Sequence, residues 1–385
     1  MIDRLSPRRV RGVAAVSASL AGFAACTGGT EYPQTTFHPV TQYGEMLNAV
    51  FLNTFWWTIG ILVLVLVLII YVVFRFRERP GMPRPKQIHG NTQIEILWTI
   101  VPAIIVVFIA VPTVQTIFET QRRASEEALT IEVIGHQWWW EFNYPEQGVR
   151  TANLFYVPIG RQIHLQMHSA DVVHSFWIPR LGGKRDVVPL ARAHEGQEPR
   201  YNHIVFTVDS AGTYSGQCAE FCGAAHAIMM TTAVAVAPAE FDQWVASMQH
   251  APPPPPPAPD TVAATVTDTA TVQQAPAGQP ALDPVAEQGR AIFLRSACVA
   301  CHAVSNTTAQ GRVGPSLTRF GLRPTVGAGA RPNTQENVEA WIRNPRALKA
   351  GTLMPGAQEA AAGFPPTGLS DEEIRAVATY LRSLN

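Results

Sequence analysis

Neither sign of charge dominates this sequence. Its 29 basic and 29 acidic residues cancel to a formal net charge of +0, so no global basic field exists to draw nucleic acid. Charge is also scarce. Charged residues make up 15% of the chain, against about 25% in ordinary soluble domains, and that deficit points to membrane segments. Cysteine is scarcer and odd in number. The five cysteines fall as Cys26 alone, Cys218 with Cys222, and Cys298 with Cys301. That grouping argues for separate jobs, not a disulfide framework. At 385 residues there is room for two or three domains, taking about 150 residues for each.

Residues 1–25 read as a signal peptide, with Arg4, Arg8, Arg9 and Arg11 ahead of a short apolar stretch. The run Phe23-Ala24-Ala25-Cys26 resembles a lipobox, with Cys26 as the lipid-carrying residue; simple cleavage nearby is the alternative. Residues 26–122 then hold two apolar runs, at about 48–74 and 96–118, each near the ~20 residues a membrane span needs. Trp56 and Trp57 sit at one end of the first, as interfacial aromatics do. Arg75, Arg77, Arg79, Arg84 and Lys86 crowd the other end, which makes the turn between the spans cytoplasmic by the positive-inside rule. The expected product is a helical hairpin in a bacterial inner membrane, with the rest of the chain on the periplasmic or extracellular side. Glu95 stands at the cytoplasmic mouth of the second span. It is either a functional acid or an interfacial carboxylate facing water.

From residue 123 to 250 the pattern changes to short alternating runs at 131–134, 154–157, 163–167, 204–208 and 231–236. Regular short strands argue a small sandwich or barrel, closed by a helix over 238–249. Residues 251–282 open with six consecutive prolines and lack core-forming residues, so they form a linker. Residues 283–385 form a small helical domain. A helix-like stretch puts Ala286, Gly289, Ile292 and Phe293 on one side, and Ser370-Asp371-Glu372-Glu373 is a capping box opening a last helix.

Two stretches carry chemistry. In Gly216-Gln217-Cys218-Ala219-Glu220-Phe221-Cys222-Gly223-Ala224-Ala225-His226-Ala227-Ile228-Met229, two thiols, an imidazole and a thioether crowd one loop. Soft sulfur with imidazole favours copper, zinc or iron–sulfur over magnesium or calcium. Thiolates four residues apart can each bridge two metal ions, with His174 and His226 supplying one nitrogen apiece and Met229 and a loop carbonyl as weak axial ligands. A Cys218–Cys222 disulfide and a Cys₂His₂ zinc site are the bland alternatives. The second stretch is Cys298-Val299-Ala300-Cys301-His302. Its two thiols can add across haem vinyl groups and His302 can ligate the iron. Met354 is the methionine available in this domain as second axial ligand. A thioredoxin-like pair is disfavoured, because no βαβ pattern surrounds the motif.

The copper-type loop resembles the Cu-A motif of subunit II of the haem–copper oxidases, as do Glu95-Ile96-Leu97-Trp98-Thr99-Ile100-Val101-Pro102-Ala103 and Gly135-His136-Gln137-Trp138-Trp139-Trp140. The resemblance covers about residues 40–248, in order. It implies a two-helix transmembrane hairpin followed by a cupredoxin-like β domain. It implies that His174, Cys218, Glu220 through its carbonyl, Cys222, His226 and Met229 hold a dinuclear copper. Trp138 matches the tryptophan where electrons arrive from cytochrome c, while Trp139 and Trp140 suit a barrel wall. Glu95 matches the acid at the mouth of a proton pathway. Glu220 and Asp186 match residues at a magnesium shared with subunit I.

Residues 283–385 resemble a class I cytochrome c, an all-α fold with His/Met haem ligation, which raises the haem potential. A Cu-A subunit joined to such a domain is similar to the caa3-type cytochrome c oxidases. The implied role is electron transfer from an external donor, a cytochrome bc-type complex or a soluble cytochrome c, through haem c and Cu-A to subunit I. There oxygen is reduced with proton pumping, and subunit III completes the assembly. A nitric oxide reductase subunit and a stand-alone tethered electron carrier are the competing readings. A quinol oxidase subunit is disfavoured because all the copper ligands are present.

Overall fold

The structure is a computed structural model and describes residues 34–83, 86–190, 201–249 and 283–385. The expected signal peptide, Cys26, Arg84 and the proline-rich linker lie outside the described residues. The chain divides into two compact units. The first comprises the N-terminal part through Arg123 with 179–183 and 205–207; the second comprises 124–178, 184–204 and 208–385.

In the first unit, helix α1 spans Gln42–Arg75 and α2 spans Thr92–Thr120. Both are long and apolar enough to cross a membrane, and their apolar windows are unburied by protein. A helix with apolar residues exposed all round needs lipid, not water, as its solvent. Each helix starts several residues before its apolar run because a polar side chain caps it there. Thr41 Oγ1 accepts from Gly44 N at 2.9 Å and donates to Leu181 O at 2.6 Å. Asn91 Oδ1 accepts from Gln93 N and Ile94 N. The two helices meet through a stacked Trp57–Phe108 pair with centroids 5.8 Å apart. Tyr43 covers Gly182, where a Cβ would come within 2.1 Å of its ring.

The second unit carries a β-sandwich and a helical domain. The strands are β1 (Leu129–His136), β2 (Trp139–Tyr144), β3 (Val149–Ala152), β4 (Leu154–Pro158), β5 (Gln162–Ser169), β6 (His174–Trp177), β7 (Arg185–Val187), β8 (Asn202–Thr207), β9 (Gly212–Cys218) and β10 (Met230–Val236). They form two five-stranded sheets, ordered β3-β2-β1-β5-β8 and β4-β10-β9-β6-β7. Alternation dictates the packing, since successive strand side chains point to opposite faces. Leu129, Ile131 and Val133 of β1 and Ile163, Leu165 and Met167 of β5 are buried, as are Trp140, Phe142 and Phe155. Phe142 and Phe155 stack at 4.2 Å between centroids. Helix α3 (Pro238–Gln249) closes one end, with Trp244 stacked on Tyr156 at 4.8 Å.

The helical domain contains α4 (Pro284–Arg295), α5 (Cys298–Cys301), α6 (Gln335–Arg343), α7 (Pro345–Leu348) and α8 (Asp371–Arg382). Its core joins Ile292 and Phe293 of α4 to Ile374, Val377, Tyr380 and Leu381 of α8. Ser370 and Glu373 cap α8 reciprocally, each side chain accepting from the other's backbone N–H. Gly289 permits the crossing: a Cβ there would lie 1.9 Å from Ala376 O.

Candidate metal centre

Cys218 ends β9, and Cys222, His226 and Met229 follow in the loop that returns to β10. Register brings the upstream histidine to them. Phe176 of β6 lies opposite Cys218 of β9, so His174 enters at the end of the same sheet. One ligand atom each from His174, Cys218 and Cys222 lies within 4.8 Å of the others, and all three residues are buried. The sulfurs are 3.8 Å apart and both cysteines are free, so the structure contains no Cys218–Cys222 disulfide. His226 Nδ1 lies 3.6 Å and Met229 Sδ 3.8 Å from Cys222 Sγ. The Glu220 carbonyl oxygen lies 3.3 Å from Cys218 Sγ, and the Glu220 side chain is exposed.

The surroundings prepare this donor set for a soft cation. The Cys222 thiol hydrogen-bonded to Cys218 draws the Cys218 thiol well below its ordinary range, against burial and with help from His174. His174 is fully buried, and burial pushes its imidazole down. Its bonds to Asp171 and Cys218 more than offset that push. Asp171 Oδ1 lies 2.8 Å from His174 Nε2, which turns Nδ1 towards Cys218 Sγ at 3.9 Å. This carboxylate also accepts from Gln137 N and Val172 N, each at 2.6 Å. An outer carboxylate of this kind fixes a metal-binding histidine's tautomer and orientation. Gly135 gives the ring its space, since a Cβ there would lie 2.7 Å from His174 Cδ2. Two thiolates, two imidazoles, a thioether and a carbonyl fit copper.

Trp138 stands beside this cluster. Its Nε1–H donates to Cys222 O at 2.9 Å, and Gln137 Nε2 donates to the same oxygen at 2.7 Å. Its neighbours do other work: Trp140 is fully buried in the sandwich, and Trp139 stacks on His136 at 4.1 Å. Glu95 lies far along the chain, in the first turn of α2, where its Oε1 accepts from Asn91 N at 3.1 Å. Asp186 is exposed on β7, opposite Ser175.

In the helical domain Cys298 and Cys301 bracket α5, and His302 follows. His302 Nδ1 bonds Pro315 O at 2.8 Å, which leaves Nε2 for a metal. A Cβ on Gly314 would lie 2.7 Å from the His302 ring. Val313 beside that glycine is 60% exposed and Leu353 beside Met354 55%. Apolar surface left open next to both axial candidates is what a haem would cover, so these residues fit the group.

Comparison with known proteins agrees with this geometry. The transmembrane domain of cytochrome c oxidase subunit II matches residues 39–116, its periplasmic domain matches 148–236, and cytochrome c matches 286–385. Cytochrome c oxidase subunit 2 of Alkalihalophilus pseudofirmus is 36% identical over 305 residues, covering 78% of this chain and 75% of the relative. The chain belongs to the cytochrome c oxidase subunit 2 family. Subunit 2 of Bacillus sp. (strain PS3) is 33% identical over 314 residues, covering 78% and 76%. The solved periplasmic domain of subunit II of cytochrome oxidase of Bradyrhizobium japonicum is 30% identical, covers 33% of this chain and 97% of that one, and has a TM-score of 0.29. As a fused member of the subunit 2 family, this membrane-anchored chain carries the domain types that imply Cu-A copper and haem. Asp171 lies outside the copper loop and the two other stretches that resemble the family. A carboxylate three residues before His174 was the available signal for it.

Proposed function

We propose that this chain is the electron-receiving subunit of a caa3-type cytochrome c oxidase. His174, Cys218, the Glu220 carbonyl, Cys222, His226 and Met229 hold Cu-A; Cys298, Cys301, His302 and Met354 hold haem c. When bound, these groups supply outer-sphere electron transfer, and oxygen is reduced in subunit I. Trp138 is the residue through which electrons reach the copper loop. The observation that carries this reading is its placement: the indole donates to Cys222 O on one side and faces Gly351, three residues before Met354, on the other. Burial of the ligands excludes water and limits reorganisation when charge changes.

The finer assignments follow from exposed groups. Glu220 and Asp186 present exposed carboxylates near the end of the β9-β6-β7 sheet, and they hold a magnesium with subunit I. Phe221, 77% exposed in the loop between Glu220 and Cys222, offers an apolar contact for that partner. Glu95 opens a proton pathway into subunit I. The basic turn after α1 lies in the cytoplasm, so both redox domains lie on the periplasmic side of a bacterial inner membrane. Subunit III and an external bc-type or soluble cytochrome donor complete the chain of partners.

The test is purification of the assembled complex with absorption and EPR spectra. A mixed-valence dicopper signal, a c-type haem and a large companion subunit bearing a-type haem are expected. Trp138→Leu should slow copper reduction without changing either spectrum. A lone protein lacking that companion, or oxidised Cys218–Cys222 with no copper signal, overturns the reading.

A further inference from the structure

Lysine occurs three times in this chain, at 86, 184 and 349, where arginine occurs 26 times. Lys349 follows α7 and is 3% exposed. A buried ammonium is costly unless its hydrogens are bonded. Here Nζ donates to three backbone carbonyls: Trp138 O at 2.7 Å, Ile228 O at 2.8 Å and Gly327 O at 2.7 Å. An ammonium has three donors, and all three are used. Trp138 and Ile228 belong to the β-sandwich; Gly327 belongs to the haem domain. Burial draws the ammonium's pKa down to about 7, opposed by the neighbouring Cys222.

The contacts around it follow the same line. Gly351 lies flat against Trp138: a Cβ there would come within 2.6 Å of the indole Cη2 and 3.6 Å of Ala224 Cβ. Its φ of +81° suits glycine. Met230 N donates to Ala328 O at 2.9 Å, and a Cβ on Gly329 would meet Met230 Cγ at 2.3 Å. Arg150 Nη2 donates to Gly311 O at 3.1 Å. Trp138 is left 8% exposed.

We propose that Lys349 is the positioning residue that seats the haem domain on the β-sandwich, bridging the carbonyls of Trp138, Ile228 and Gly327 so that the Met354 loop lies on the Trp138 indole. The seating rests on this geometry alone; its consequence for electron flow rests on the reading of Trp138 above. While the domain is seated, a separate cytochrome cannot touch Trp138 and must deliver its electron to the haem domain instead. Arginine does not substitute, because a planar fork cannot aim three hydrogens from one atom at three converging oxygens.

The test uses the full chain in its assembled oxidase. Acetic anhydride should modify Lys349 at least tenfold more slowly in the folded oxidase than in the urea-unfolded chain. Lys349→Met and Lys349→Arg should raise hydrogen exchange at least tenfold in peptides carrying Trp138 and residues 349–354. Both should slow electron transfer from flash-reduced haem c to copper at least tenfold, with the haem absorption and copper EPR signals unchanged. Acetylation of Lys349 as fast in the folded oxidase as in the unfolded chain, or a Lys349→Met protein with wild-type exchange and transfer, overturns the proposal. Should Lys349→Met fail to assemble, the footprint of the unaltered protein still decides. If Trp138→Leu leaves transfer unchanged while Lys349→Met loosens exchange, the seating stands and the role of Trp138 falls.

Discussion

Replacing Asp171 with asparagine should loosen copper while leaving the haem domain untouched. The carboxylate uses both oxygens: Oδ1 takes His174 Nε2–H and Val172 N–H, and Oδ2 takes Gln137 N–H. Asparagine keeps the shape but offers one oxygen and an NH₂ group. One set of donors must then face another donor. Either the imidazole loses the acceptor that turns Nδ1 towards Cys218, or the Gln137–Trp138 turn is pushed off. Hydrogen bonds to charged groups contribute about 1.5–3 kcal/mol. Loss of an outer-shell partner of a metal-bound histidine lowers affinity about 10–100-fold. Those figures agree, since about 1.4 kcal/mol is tenfold. The assay is copper retention by the full chain against a graded chelator, with the dicopper EPR signal as the readout and haem absorption as internal control. Wild-type copper retention in Asp171→Asn would refute the claim that this carboxylate orients His174.

Three further outcomes are expected. Gly289→Ala adds about 1 kcal/mol of helix propensity, yet its Cβ would strike Ala376 O at 1.9 Å. Overpacking costs about 1–3 kcal/mol, and a backbone carbonyl cannot turn aside, so thermal unfolding of the haem domain, followed by haem absorbance, should occur about 5 °C lower; a rise would refute the packing argument. Burial pushes His164, His168 and His203 below the ordinary histidine range. Below about pH 6.5 the unfolded state therefore binds more protons, and stability falls on acidification. Corrected hydrogen exchange in β5 should rise between about pH 7 and pH 5, and less so in His164→Gln. Met354→Ala should change the haem absorption spectrum and lower the midpoint potential; an unchanged spectrum would remove Met354 from the iron.

Much of the fold is legible along the chain because its signals are local. Alternation marks β1 and β5, an apolar stripe with a capping box marks α8, and long apolar runs mark α1 and α2. The strands β2, β3, β6, β7 and β9 are harder to read. β6 and β7 are short, β3 reads Val-Arg-Thr-Ala, and the three tryptophans before and within β2 blur its alternation. The helix starts at Gln42 and Thr92 depend on capping by Thr41 and Asn91, which hydropathy does not register.

Residue type and spacing already select the chemistry of both cofactor stretches, because thiols, imidazoles and thioethers carry their ligand preference with them wherever they fold. How those groups meet is a different matter. His174 reaches Cys218 through the pairing of β6 with β9, 44 residues apart in sequence. Asp171 acquires its partners from two separate turns, and Lys349 finds its acceptors at Trp138 and Ile228, 211 and 121 residues away. Contacts of that range leave no periodic trace in a sequence, since they depend on which surfaces come together once each domain has closed its own core.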